Sequence, residues 1–146
     1  MATATEKNTA LTARGTVLTT ELNSLANGSQ AVGSTVLDNG VNLDRFGIAE
    51  LSITFGSTPT DRSVVDLYAV IAPDGTNYSY STQAMDTMYL GSFVLDDSTS
   101  AQLVPTPQFE LPPCKCKFAV VNRSGVAFPA SGVTVSVYTY NRQLSY

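Results

Sequence analysis

The segment GIAELSITF, residues 47–55, determines the fold class, because its apolar and polar side chains alternate. From Ala49 to Phe55 every odd-numbered residue is apolar and every even-numbered residue is polar. Successive side chains of a β-strand point to opposite faces of the sheet, so this pattern predicts a strand with one buried face. The segment VTVSVYTY, residues 133–140, repeats the alternation near the other end of the chain. The sequence therefore predicts sheets that turn one face toward a core.

Short strand-like segments recur between turn residues such as Asn-Gly, Asp-Gly and Pro-Pro, and no segment shows a convincing helical stripe. About eight strands predict an antiparallel β-sandwich, and eight strands in two sheets is the number in a jelly roll. An immunoglobulin-like sandwich stays open, although the chain lacks the tryptophan of true immunoglobulin domains. The predicted strands cover residues 16–25, 31–37, 47–55, 64–71, 88–95, 101–104, 114–121 and 133–140. For residues 16–25 a short helix is the alternative, but the threonines there are poor helix formers and favour a strand.

The predicted core consists of the inward-facing residues of these strands. Its members are Leu51, Ile53, Phe55, Leu67, Phe93, Phe118, Val120, Val135 and Val137.

Length and composition indicate one domain with few surface charges. The chain has 146 residues, of which 43% are hydrophobic and 14% charged, against a typical charged fraction of about 25%. A polar but uncharged surface suits a protein that packs into an assembly, because few charges need to be desolvated. Residues 1–14 are rich in threonine and lack periodicity, which predicts a flexible N-terminal arm before a single domain at residues 15–146.

The composition argues against several functions. The net charge is −4 with no basic run, so we expect no nucleic-acid partner. No apolar stretch reaches the roughly 20 residues of a membrane helix, and the N-terminus lacks the apolar segment of a signal peptide. The chain has no histidine, which removes Ser-His-Asp and Cys-His catalysis and the usual metal ligands. We therefore expect no enzyme activity, no cofactor and no metal site.

Two local features could carry chemistry. Cys114 and Cys116 would share one strand face with Cα atoms roughly 6.5–7 Å apart, at the limit for a disulfide. We interpret them as reduced thiols in an apolar layer, with an intersubunit disulfide as the alternative. The segment from Asp74 to Asn77 hints at a calcium loop, but Asp-Gly is a common hairpin turn, which is our interpretation.

Five residues form a candidate interface. Tyr138 and Tyr140 lie on the outward face of the last predicted strand, and Val64, Tyr68 and Val70 lie opposite the core face of the fourth. Exposed apolar patches mark interfaces, and tyrosine is enriched in them, so these residues predict self-association. Two alternatives remain: the chain's own loops could cover Val64 and Val70, and the tyrosines could cover the sheet or bind a ligand.

The order of several motifs resembles a known family, the capsid decoration or cement proteins that tailed bacteriophages encode beside the major capsid protein. The motifs are AELSITFG at 49–56, VDLY at 65–68, PDGTNY at 73–78, LGSF at 90–93, and a stretch from LPP at 111–113 to VNRSG at 121–125. The resemblance covers most of the chain from residue 16. It implies a sandwich or jelly-roll protomer that is made in the host cytoplasm, binds the major capsid protein on the outer surface of the virion as a homotrimer, and braces the shell.

A second hypothesis is a head-fibre or tail-associated module that adheres to host surface glycans. It is motivated by the tyrosine and asparagine content of residues 77–86, because tyrosine combines apolar area with a polar tip.

Overall fold

Two packed β-sheets enclose the core. The computed structural model describes residues 3–78 and 88–146, and these residues form twelve strands, a short α-helix and a 3₁₀ turn at Thr20–Leu22. The elements are β1 (Thr5–Asn8), β2 (Thr12–Leu18), β3 (Gln30–Val32), β4 (Leu37–Asp38), α1 (Asn39–Asn42), β5 (Phe46–Ile53), β6 (Val64–Ala72), β7 (Met88–Val94), β8 (Gln102–Pro105), β9 (Phe109–Glu110), β10 (Lys115–Arg123), β11 (Thr134–Tyr140) and β12 (Arg142–Ser145).

The strand order is that of a jelly roll. The first sheet has the order β2-β11-β5-β8, with β9 also pairing with β5, and the second has the order β3-β10-β6-β7, with β4 also pairing with β10. The two sheets contain eight strands when β3 with β4, and β8 with β9, are each counted as one interrupted strand. Numbered 1 to 8 along the chain from β2 to β11, these strands have the orders 1-8-3-6 and 2-7-4-5. Each of these pairings is antiparallel. The predicted antiparallel sandwich is confirmed.

One apolar cluster fills the space between the sheets. All nine predicted core residues belong to it, and none is more than 2% exposed, so that prediction is confirmed. Phe93 of β7 and Phe118 of β10 are the largest side chains that are fully buried. Burying an aromatic or aliphatic side chain of this size stabilises the fold by about 1.5–3 kcal/mol, so this layer is the main source of stability.

The segment that we predicted as a strand over residues 16–25 is divided. Strand β2 ends at Leu18, and the chain then turns at Thr20–Leu22. A carboxylate closes this turn, because Glu21 accepts hydrogen bonds from the backbone N–H groups of Thr19 and Ser34 at 2.9 and 3.3 Å. The turn buries Leu22 completely, which a straight strand would not do.

The structure differs from the flexible arm that we predicted for residues 1–14. Strand β1 pairs with β12, and β2 begins at Thr12 and pairs with β11. We call β1 and β12 the terminal ribbon. The pairing uses backbone hydrogen bonds between the two ends of the chain, which a search for apolar periodicity does not detect. Met1 and Ala2 lie outside the described residues.

A half-buried ion pair links β2 to β11 and to the segment that precedes β5. The Arg14 guanidinium donates to Thr139 Oγ1 at 2.8 Å and to Asp44 Oδ2, and the Thr139 hydroxyl donates to the same carboxylate oxygen at 2.6 Å. Burial acts to raise the pKa of Asp44, but the hydrogen bonds from Thr139 and Arg14, together with the charge of Arg14, lower it below its usual value. The ionised carboxylate therefore stabilises the folded state.

We expect Phe118→Ala to destabilise the protein by about 3–5 kcal/mol, because it leaves a cavity in the layer between the sheets. Chemical denaturation measures this change, and thermal melting should shift downward by roughly 10 °C. Val94→Ala is the control, because Val94 is an exposed aliphatic residue on a strand of the same sheet. Equal effects of the two substitutions would contradict the assigned core.

The Asp44 cluster predicts a specific acid sensitivity. A carboxyl whose pKa is lowered on folding stabilises the protein at pH values above its unfolded pKa, and this stabilisation is lost as pH falls through the lowered folded pKa. Asp44→Asn should therefore reduce stability at neutral pH and flatten the loss of stability that acidification below about pH 4 produces. Denaturation midpoints across this range measure it, with the exposed Asp97→Asn as the control. An unchanged pH dependence in Asp44→Asn would contradict the assignment.

Candidate interaction surface

The outer face of the second sheet is filled by the chain's own side chains. Tyr68 is 8% exposed and Val70 is 0% exposed, and both pack with Ala119 and Val121 of β10. Tyr78, which follows the turn after β6, also packs against this group. Two predicted interface residues, Tyr68 and Val70, are therefore buried within the protomer. Cover by the chain itself was our alternative for Val70, but not for Tyr68.

A polar network extends along the same face. Asp66 accepts hydrogen bonds from Ser92 Oγ at 2.6 Å and from Arg123 Nε at 2.7 Å. The hydroxyls of Tyr89 and Ser92 are 2.6 Å apart, and the Tyr89 ring contacts the Tyr68 ring edge to face at 5.5 Å. Burial, with a further contribution from the charge of Asp66, raises the pKa of Tyr68. The polar side chains on this outer face are therefore largely hydrogen-bonded to one another.

Val64, the third predicted interface residue of β6, is half-buried. Its register partners are Arg123 on β10 and Val94 on β7. It lies at the opposite end of β6 from the Tyr78 contact, so it is separate from the buried group of Tyr68 and Val70.

The outer face of the first sheet presents the other two predicted residues. Tyr138 and Tyr140 are half-buried, and the strand register places them beside Ile48 and Phe46 of β5. The Tyr140 ring stacks on the Phe46 ring with centroids 5.2 Å apart. The Tyr140 hydroxyl donates a hydrogen bond to Gln108 Oε1. The structure thus brings these two tyrosines together on one surface and separates them from Val64, Tyr68 and Val70.

Two cations cover the Phe46 ring. The guanidinium carbons of Arg45 and Arg142 lie 5.3 and 5.0 Å from its centroid, within the range of cation–π attraction. Each arginine also pairs with a carboxylate, Arg45 with Glu110 at 3.4 Å and Arg142 with Glu6 at 3.5 Å. Because Arg142 and Glu6 belong to the terminal ribbon, these contacts hold the ribbon against the end of the sheet.

A pocket of about 230 Å³ opens between the ribbon and the sheet, lined by Asn8, Thr9, Leu11, Ile48 and Tyr140. Its volume is below the roughly 300–1,000 Å³ of typical small-molecule pockets, so it fits a side chain of a partner better than a cofactor. Our sequence interpretation did not select Leu11 or Ile48. Ile48 could have been found, because it is an apolar residue at an outward position of a clearly alternating strand.

The cysteines lie in different environments. Cys116 is completely buried in the core and Cys114 is half-buried just before β10, and both are free thiols. Burial raises the pKa of Cys116 to about 12 and also raises the pKa of Cys114. The Cys116 thiol is therefore protonated and unreactive at neutral pH.

The Asp74 carboxylate closes its own turn. One oxygen accepts from the backbone N–H groups of Thr76 and Asn77 at 2.9 and 2.7 Å, and the other accepts from the Asn77 side chain at 2.8 Å. These bonds lower the pKa of Asp74. The interpretation as a turn is confirmed. Within residues 3–78 and 88–146, no three Cys, Asp or Glu side chains are grouped so that they could hold a metal ion.

Comparison with known proteins returned no relative: the sequence matches no family model, no curated protein and no solved structure. No helix among the described residues is long and apolar enough to cross a membrane.

We expect the two thiols to react at very different rates. With a pKa of about 12, only about one Cys116 thiol in ten thousand is ionised at pH 8, and it is also inaccessible. An aromatic disulfide reagent should label Cys114 in the native protein and Cys116 only after unfolding. Cys114→Ser should abolish the native reaction. Equal native reaction of both thiols would contradict the buried position of Cys116.

Proposed function

We propose that this chain is a structural protein of a phage head, a capsid decoration protein that binds the outer surface of the shell and stabilises it. The observation that carries the proposal is the outer face of the first sheet. Leu11, Ile48, Tyr138 and Tyr140 form an apolar and aromatic surface there, and the arginines beside it are paired with carboxylates. A surface of this kind favours burial against another protein.

Three further features support this function. The low charged fraction reduces the desolvation cost of assembly into a crowded shell. A jelly roll is a recurrent fold of viral capsid domains. The motif order resembles that of decoration proteins, and it implies the major capsid protein as partner, a homotrimer as the oligomer, and the virion surface as the location. In this proposal the protein is not an enzyme and works by binding alone.

The alternative, a module that adheres to host glycans, rests mainly on residues 77–86. Residues 79–87 lie outside the described part of the chain. The two described residues are already engaged, since Asn77 bonds to Asp74 and the Tyr78 ring lies 4.3 Å from the Lys117 ammonium. The described structure therefore favours the decoration protein.

The number of copies per particle tests the proposal. In virions of the phage that encodes this chain, we expect copies in numbers comparable to the major capsid protein, because a decoration protein repeats with the shell lattice. Particles that lack the chain should release DNA at a lower temperature, and addition of the purified protein should restore the original temperature. A few copies per virion, with unchanged head stability and impaired adsorption to cells, would instead identify a fibre or tail module.

A further inference from the structure

Strand β8 carries an exposed apolar knob, which we define as Leu103 and Pro105. The register places Leu103 opposite Ser52 and Pro105 opposite Glu50 on β5. Directly paired residues share a face, so the knob lies on the same outer face as Ile48, two residues from Glu50. Leu103 is 65% exposed, which is high for a large aliphatic residue within a strand.

The knob and the pocket lie at opposite corners of this face. The knob is on β8, at the edge of the first sheet and beside the C-terminal end of β5. The pocket lies toward the opposite edge of the sheet: Leu11 directly precedes the edge strand β2, Tyr140 ends β11, and Ile48 lies near the N-terminal end of β5. Leu11 is 54% exposed, so both corners present aliphatic surface to water.

The charges beside the two corners are complementary. Glu50 lies next to Pro105 and has no ion-pair partner among the described residues. Arg142 lies next to the pocket as the register partner of Asn8, and its half-exposed guanidinium is only 3.5 Å from a single carboxylate oxygen of Glu6. A knob that approaches the pocket of another copy therefore brings an unpaired carboxylate toward a guanidinium.

We propose that this face is a self-association surface, in which Leu103 of one copy enters the pocket formed by Leu11, Ile48 and Tyr140 of the next copy. The occupant is a second copy of this chain, because the chain itself presents an aliphatic knob with the matching charge. The contact joins two different patches, so it is heterologous, and repeated from copy to copy it forms a ring when the rotation between neighbours closes and an open filament when it does not. Patches at opposite corners of one face let each copy contact two neighbours, and a ring of three fills every pocket. The count of three rests on the proposed function, whereas the contact surface does not.

Native mass spectrometry and sedimentation of the purified full chain test this inference. The wild-type protein should be a trimer at micromolar concentration. Leu103→Asp and Leu11→Asp should each weaken association at least about tenfold, because each places a carboxylate in a desolvated contact. Val94→Asp is the matched control, since it changes an exposed aliphatic residue on an edge strand of the other sheet and should leave the trimer intact. Melting curves confirm that every variant is folded.

A mixing experiment tests the heterologous geometry. Leu103→Asp retains an intact pocket and Leu11→Asp retains an intact knob, so the two variants should bind each other although neither binds itself. No binding between them would overturn the knob-in-pocket contact. A monomeric wild type, or a trimer that survives Leu103→Asp, would overturn the self-association surface, and a wild-type dimer would overturn the ring.

The self-association contact and the proposed function can each fail without the other. If particles carry many copies of the chain but the protein is monomeric in solution and on the shell, the inference fails and the proposed function stands. If the variants behave as expected but virions carry few copies, the contact stands and the proposed function fails.

Discussion

The apolar layer between the two sheets is the constraint on which the rest of the structure depends. Leu51 and Val135 supply it from the first sheet, and Leu67 and Phe118 from the second. Because side chains alternate along a strand, fixing these inward residues also fixes which residues face outward. The positions of the knob and of the pocket residue Ile48 follow from this register, since a shift by one residue would reverse every face.

The two outer faces differ in what covers them. On the second sheet, Val70 and Tyr68 are buried with Ala119 and Val121, and Tyr78 packs against them. On the first sheet, Phe46 is buried by stacking with Tyr140 and by two arginines, but Leu11 and Leu103 stay exposed. Both faces therefore contain apolar residues, and on the first sheet the exposed Leu11 lines a pocket. This difference, rather than apolar content alone, is the reason that we propose the first sheet as the interaction surface.

The sequence predicted the core and the sandwich because both depend on an alternation with period two, which the residues display directly. It could not distinguish Val70 from Tyr140, because an outward apolar residue has the same pattern whether the protomer or a partner covers it. It missed the pairing of β1 with β12, because backbone hydrogen bonds between distant polar segments leave no local pattern. The turn at Thr20–Leu22 was missed because it depends on a carboxylate contact with Ser34, a residue distant in sequence.

The distribution of charge supports the proposal that the first sheet faces a partner. Near the pocket, Arg14, Arg45 and Arg142 are each paired with a carboxylate, so few isolated charges must be desolvated. The exposed Asp61, Asp96 and Asp97 lie in loops after β5 and β7, at the end of the sandwich opposite the terminal ribbon. Part of the net charge of −4 is therefore directed away from the pocket corner. Net charge of this kind opposes nonspecific association, and its position leaves few isolated charges beside the pocket.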